Sequence, residues 1–241
     1  MISKGYQRFK NRLNYFRIDK EVVDVIYSQK ELIAGNDKIF NGVDEHFPLL
    51  NVRQNTAQSR TIVVKHLQHT IYVSFIKELY EEVTEYIKYI LNEAAKNGAD
   101  TNRLVGEHNI SMKANEILSQ ATKRDIVGHI MNSIFQQLEN ERSTLALIQK
   151  VKTKLGLNTG QALIDDALPY LELRHIFIHA DGKPNKDFLA KYPQFSLDQK
   201  RKIKLDQQVL DDAYDRVKTM LSSIDKEMIR KRYISENEKI R

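Results

Sequence analysis

Hydrophobic positions along this chain fall mostly three and four apart, the period of a helix packed on one side. The longest such pattern runs from about Ser59 to Lys96, with Val63, Leu67, Tyr72, Ile76, Leu79, Val83, Ile87, Ile90, Leu91 and Ala94 in step and Asn97-Gly98 as its stop. At about 1.5 Å per residue it spans on the order of 50 Å, which makes it the longest element. Upstream, residues 1–18 are basic and aromatic (Tyr6, Phe9, Tyr15, Phe16). Asp19 is placed to cap a helix through about Ala34, with Val22, Val23, Ile26 and Ile33 inward and Gly35-Asn36 as its end. Residues 35–56 read as loop and residues 98–110 as connector.

Downstream, a short helix follows Ser111 (Ile117, Leu118), and a stronger one follows Thr122 (Ile126, Ile130, Ile134, Phe135, Leu138). Ser143 is a cap for another, holding Leu145, Leu147, Ile148, Val151 and Leu155 and closed by Gly156. Thr159 opens a segment from Gln161 to Ala180 that Pro169 interrupts. Proline lacks a backbone donor and clashes with the carbonyl four residues back, so the segment kinks or restarts there. Asp181 to Asn185 is a turn, and Phe188 to Phe195 is a short helix or irregular. The last helix runs from near Asp206 to about Arg232, and the final polar residues are expected to fray. No strand or internal repeat is visible. The expectation is an all-α helical bundle with one long helix. Residues 1–56 form an N-terminal helical and loop elaboration on a domain of residues 57–241, the two making one compact unit.

Composition supports helices: Gly (9) and Pro (4) together are about 5% of the 241 residues, against about 12% in average usage. The chain has no cysteine, which excludes disulfides, thiolate metal sites and a Cys nucleophile. No apolar h-region follows Met1, and no apolar run approaches the 18 or so residues of a membrane helix. With a mean hydropathy of −0.52, the expectation is a cytoplasmic protein with no membrane contact. No P-loop, GxGxxG, HExxH or nucleophile elbow is present, and no cofactor is expected.

Net charge is +6, a weak pointer to an anionic partner. Its distribution is sharper. Between Lys183 and Lys204 stand seven basic residues and two acidic ones, Asp187 and Asp198. Lys183, Lys186, Lys200, Arg201 and Lys202 are the candidate phosphate-facing residues, with a solvated loop as the plain alternative. The basic end Arg230-Lys231-Arg232 is read as a solvated helix terminus.

The seven histidines are His46, His66, His69, His108, His129, His175 and His179. His66 and His69 lie three apart and lack a predicted third ligand. His175 and His179 share a helix face, but Ile176 stands where a zincin carries Glu. No metal is expected at either pair. The most informative stretch is Leu173-Arg174-His175-Ile176-Phe177-Ile178-His179-Ala180-Asp181-Gly182-Lys183. It sets a charged and polar pair in a buried neighbourhood at a helix end, where desolvation is costly. On a structural reading, Arg174 pairs with Glu172 or Asp166, and His179 caps the helix C-terminus, where the dipole favours its protonated form.

The same stretch resembles the R-x(4–6)-H signature of the HEPN superfamily: Arg174, a polar residue, three apolar residues and His179. The continuation Ala180-Asp181-Gly182-Lys183-Pro184-Asn185 resembles the H-x-x-G-x-x-N turn of several HEPN subfamilies. The resemblance spans roughly residues 110–230. It implies a HEPN-like core and a metal-independent endoribonuclease, often a toxin or an antiviral-defence effector, dimeric with the motifs at the interface. RNA is then the substrate, and an antitoxin or activator protein is a possible partner. The implied catalytic residues are Arg174, His179 and His175. Histidine titrates in the range that attack by a ribose 2′-OH requires. A guanidinium can hold the charge gathering on the phosphorane-like transition state. The implied roles are His179 as general acid/base, Arg174 as stabiliser and His175 as positioner.

A five-residue spacing puts Arg174 and His179 about 140° apart on an ideal helix. Either the helix bends or ends between them, or a second protomer supplies the partner. One HEPN toxin subgroup carries Tyr two residues after the His, where this chain has Asp181, so that group's mode of control is not expected. The alternative is a non-catalytic HEPN-like helical module that binds nucleic acid or a protein.

Overall fold

The computed structural model describes residues 1–40, 48–107, 111–120, 122–139 and 143–240. His46 and His108 lie outside them. The fold is an all-α bundle. In chain order its helices are α1 (Lys4–Ser28), α2 (Lys30–Gly35), α3 (Asp37–Phe40), α4 (Pro48–Val52), α5 (Ala57–Lys96) and α6 (Thr101–Val105). Then follow α7 (Ala114–Leu118), α8 (Lys123–Glu139), α9 (Thr144–Leu155), α10 (Gln161–His179), α11 (Lys186–Lys191) and α12 (Gln207–Arg230).

Helix α5 is the axis of the bundle, with α1, α2, α8, α9, α10 and α12 all packed on it. Its sequence explains this role. From Tyr72 to Ala94 it buries Phe75, Ile76, Leu79, Val83, Ile87, Ile90 and Leu91, an arc about 160° wide at about 100° per residue, broader than the stripe of a surface helix. Each such side chain contributes about 1.5–3 kcal/mol on burial. Thr56 caps the helix by accepting from the Ser59 N–H, and Asn97 and Gly98 (φ 83°) end it.

Several elements differ from the sequence reading. Asp19 caps nothing: α1 is capped by Ser3, whose Oγ accepts from the Tyr6 N–H, and runs unbroken past Asp19. The aromatics of residues 1–18 are the reason, since Tyr6, Phe9 and Leu13 are buried against α5 in the common core. Gly5 permits the approach, because the Tyr89 ring occupies the space a Cβ would need. Residues 35–56 and 98–110 contain the short helices α3, α4 and α6. Gly160, not Thr159, is the N-cap of α10, and α10 continues through Pro169 without restarting. The carbonyl Pro169 leaves unpaired belongs to exposed Asp165, so solvent can satisfy it.

The C-terminal residues are fixed rather than frayed. Lys239–Ile240 pairs antiparallel with Ile2–Ser3, with Ile2 opposite Ile240. Beneath this pair lies the buried Asp225 of α12. It accepts hydrogen bonds from the Ser3 N–H (2.9 Å), the Ser3 hydroxyl (2.5 Å) and the Tyr86 hydroxyl (3.0 Å). The chain start is thereby locked to α5 and α12.

Candidate functional site

The last two turns of α10 carry the motif. Leu171, Leu173, Ile176 and Phe177 are buried and fix the helix in rotation. That leaves His175, Ile178 and His179 exposed and Arg174 partly buried. Arg174 turns toward α5. Its Nη2 donates to Glu81 Oε1 (3.1 Å), and its guanidinium lies 4.7 Å from the Tyr80 ring centroid. Its Nε is buried with no hydrogen-bond partner among the described residues. It pairs with neither Glu172, which meets Lys191, nor Asp166, which meets Arg216. Burial raises the pKa of the Tyr80 hydroxyl, against the lowering pull of Arg174.

Arg174 and His175 line a cleft of about 420 Å³ between α10, α11 and the start of α9. Its walls include Tyr80, Thr144, Asn185 and Phe188, and it mixes charges: Glu139, Glu172 and Asp187 face Arg174 and Lys191. His179 is not in its wall. The His179 ring instead meets the His175 ring, with centroids 4.8 Å apart. His175 therefore joins the cleft to His179. Helix α10 stays intact through His179, so no bend between Arg174 and His179 brings them together within one protomer.

Backbone bonds, not the His179 side chain, close the helix: Ala180 N–H and Gly182 N–H both donate to the Ile176 carbonyl (3.1 and 3.0 Å). Gly182 has φ 79°, and a Cβ there would stand 3.1 Å from the Phe177 ring. The sequence needs glycine at this point on both counts. Asp181 meets Lys202 at 2.6 Å, and that hydrogen bond and charge hold its carboxyl below the usual carboxylate range.

A small hairpin delivers the basic residues. Leu197 bridges Ile203, and the Asp198 carboxylate accepts from the Lys200 and Lys202 N–H groups (2.8 Å each). Ile203 N–H then donates to the Gly182 carbonyl (2.8 Å), docking the hairpin on the end of α10. Lys200, Arg201 and Lys202 are thus gathered beside Lys183. Lys183, Lys200 and Arg201 are exposed and make no ion pair among the described residues. Lys202 is committed to Asp181, and Lys186 stands apart at the start of α11.

Three neighbours escaped the sequence reading. Glu81 and Tyr80 engage Arg174 from α5. His69 packs edge-on against Phe177, with ring centroids 6.3 Å apart. Burial, and then the charge of Lys202, lower the pKa of His69. The only prior signal was the His66/His69 spacing. Among the described residues no group of three or more His, Cys, Asp or Glu side chains is assembled to hold a metal, and no helix is long and apolar enough to cross a membrane. Comparison with known proteins adds no relative to this geometry: no family profile, no curated protein and no solved structure matches the chain.

Proposed function

We propose that this chain is a metal-independent endoribonuclease of HEPN type, a toxin or antiviral-defence effector, and that it acts as a homodimer. One observation carries the reading: two exposed imidazoles, His175 and His179, with ring centroids 4.8 Å apart at the end of α10, beside basic side chains that make no ion pair among the described residues. Cleavage by 2′-OH attack moves two protons. One leaves the attacking hydroxyl, and one reaches the departing 5′-oxygen. His179 exchanges these protons, and a second protomer's motif facing it supplies the complementary group. Such catalysis is worth about 10²–10⁴-fold. Arg174 reaches the shared phosphate from the cleft side, with His175 positioning it between them. The planar donor fork of a guanidinium suits that role, and Lys183, Lys200 and Arg201 hold the strand.

The engagement of Arg174 by Glu81 and Tyr80 supports a second reading, a helical module that binds RNA or a protein without cutting. The product ends separate the two. Incubation of RNA with the pure protein in a chelator should yield 2′,3′-cyclic phosphate and 5′-hydroxyl termini. Intact RNA with salt-dependent binding would favour the binding module.

A further inference from the structure

Helix α1 is apolar on two opposite sides. One side, with Phe9, Leu13 and Val23, is buried against the core. The other carries Tyr15, Ile18, Val22 and Val25, continued by Leu32 on α2, and each of these five is 54–71% exposed. Their spacing is three, four, three, then seven, with exposed Gln29 at the position between Val25 and Leu32. That is the alternation of a coiled-coil seam. Gln29 (φ −102°, ψ 15°) interrupts the helix at the α1–α2 junction, where its N–H donates to the Val25 carbonyl and its carbonyl accepts from the Ile33 N–H (3.2 and 2.9 Å).

A helix with two apolar faces is normally buried on both. These five side chains leave on the order of 400 Å² of apolar surface open, as much as a monomer usually exposes in one patch. That apolar area is about half of the roughly 800 Å² per partner of a standard interface, whose remainder is a polar rim.

We propose that the stripe is the contact with a second copy of this chain, whose α1 lies antiparallel across it about a two-fold axis near residues 23 and 24. The spacing is self-complementary in this arrangement. Tyr15 layers with the partner's Leu32, Ile18 with the partner's Gln29, and Val22 with the partner's Val25. The large residues meet at the ends and the small ones at the centre. The flanking acids Asp19 and Glu21 then face the partner's Ile26 and the partner's Ser28, so neither acid meets a like charge. Such a contact is isologous and by itself joins two copies. The principal neighbours of α10 are α12, α5 and α9, not this face of α1. The pairing is therefore independent of the proposed reaction and of any contact through the motif.

The test is molar mass in solution by light scattering. Val22→Glu and Val25→Lys each place a charge in the seam at a site exposed in the protomer. Each is expected to halve the wild-type mass with helix content and melting temperature unchanged. Mixing the two variants is expected to restore the wild-type mass, because Glu and Lys then share a layer. A wild-type monomer, or variants that keep the wild-type mass, would overturn the proposal. Variants of half mass that stay so on mixing would overturn the antiparallel pairing.

Discussion

Arg174 and His179 stand five residues apart on one helix, yet their surroundings are opposite. Arg174 is held from across the bundle, by Glu81 and the face of Tyr80. His179 faces outward, with its ring against the neighbouring His175 ring. The difference follows from the roll of α10, which Leu173, Ile176 and Phe177 set by burial. A side chain so anchored is oriented in advance, while one facing outward is available to a substrate or a second protomer. The two halves of the motif should therefore respond differently to substitution.

The largest expected contrast is in activity. His179→Ala should lower RNA cleavage by about 10²–10⁴-fold while leaving stability within about 0.5 kcal/mol, as for an exposed residue. Arg174→Ala should lower cleavage as well but also reduce stability, since it empties a packed contact with Tyr80. Parallel cleavage assays and urea melts read the contrast, and equal destabilisation by both would erase it. Next in size is salt dependence. Replacing Lys183, Lys200 and Arg201 together by Ala should flatten the dependence of log affinity on log salt by about 2, at roughly 0.7 per phosphate contact on a single strand. An unchanged slope in a filter-binding titration would place the RNA elsewhere.

Gly182→Ala tests the turn that joins motif to hairpin. A left-handed backbone costs an alanine about 1–2 kcal/mol, and the Phe177 ring adds crowding, so the denaturation midpoint should fall. His69 gives a smaller, pH-dependent effect. Its lowered pKa means that the unfolded chain binds more protons below the ordinary value near 6.5. Its contribution is complete above that value and is lost as pH falls from there through the lower folded value. His69→Phe should flatten that part of the stability–pH curve, measured by denaturant melts at stepped pH. The smallest effect is expected from Glu81→Gln, at most about 1 kcal/mol for a partly exposed pair. Cleavage should be retained or increased as Arg174 is freed. A loss of cleavage would make Glu81 part of the chemistry.

The helices and their caps were largely legible in the sequence, because caps and periodicity are local. Ser143, Gly156 and Asp206 end their helices where their chemistry dictates. The reading failed where distant contacts decide. Asp19 resembles a cap in isolation, but the burial of Tyr6, Phe9 and Leu13 carries α1 straight past it. The C-terminal residues look polar and loose, and Asp225 with the strand pair holds them down. The candidate site was half legible in the same way. Arg174, His175 and His179 announce themselves by spacing, and the lysines by density. Glu81, Tyr80 and His69 come from α5, nearly a hundred residues or more away, with no local pattern to mark them.

The most direct test of the central claim is cleavage of a mixed RNA pool by the purified protein in EDTA, wild type beside His179→Ala. The account predicts cleavage by the wild type, with cyclic-phosphate ends, and little or none by the folded variant. Intact RNA with the wild type, or equal cleavage by both proteins, would contradict it.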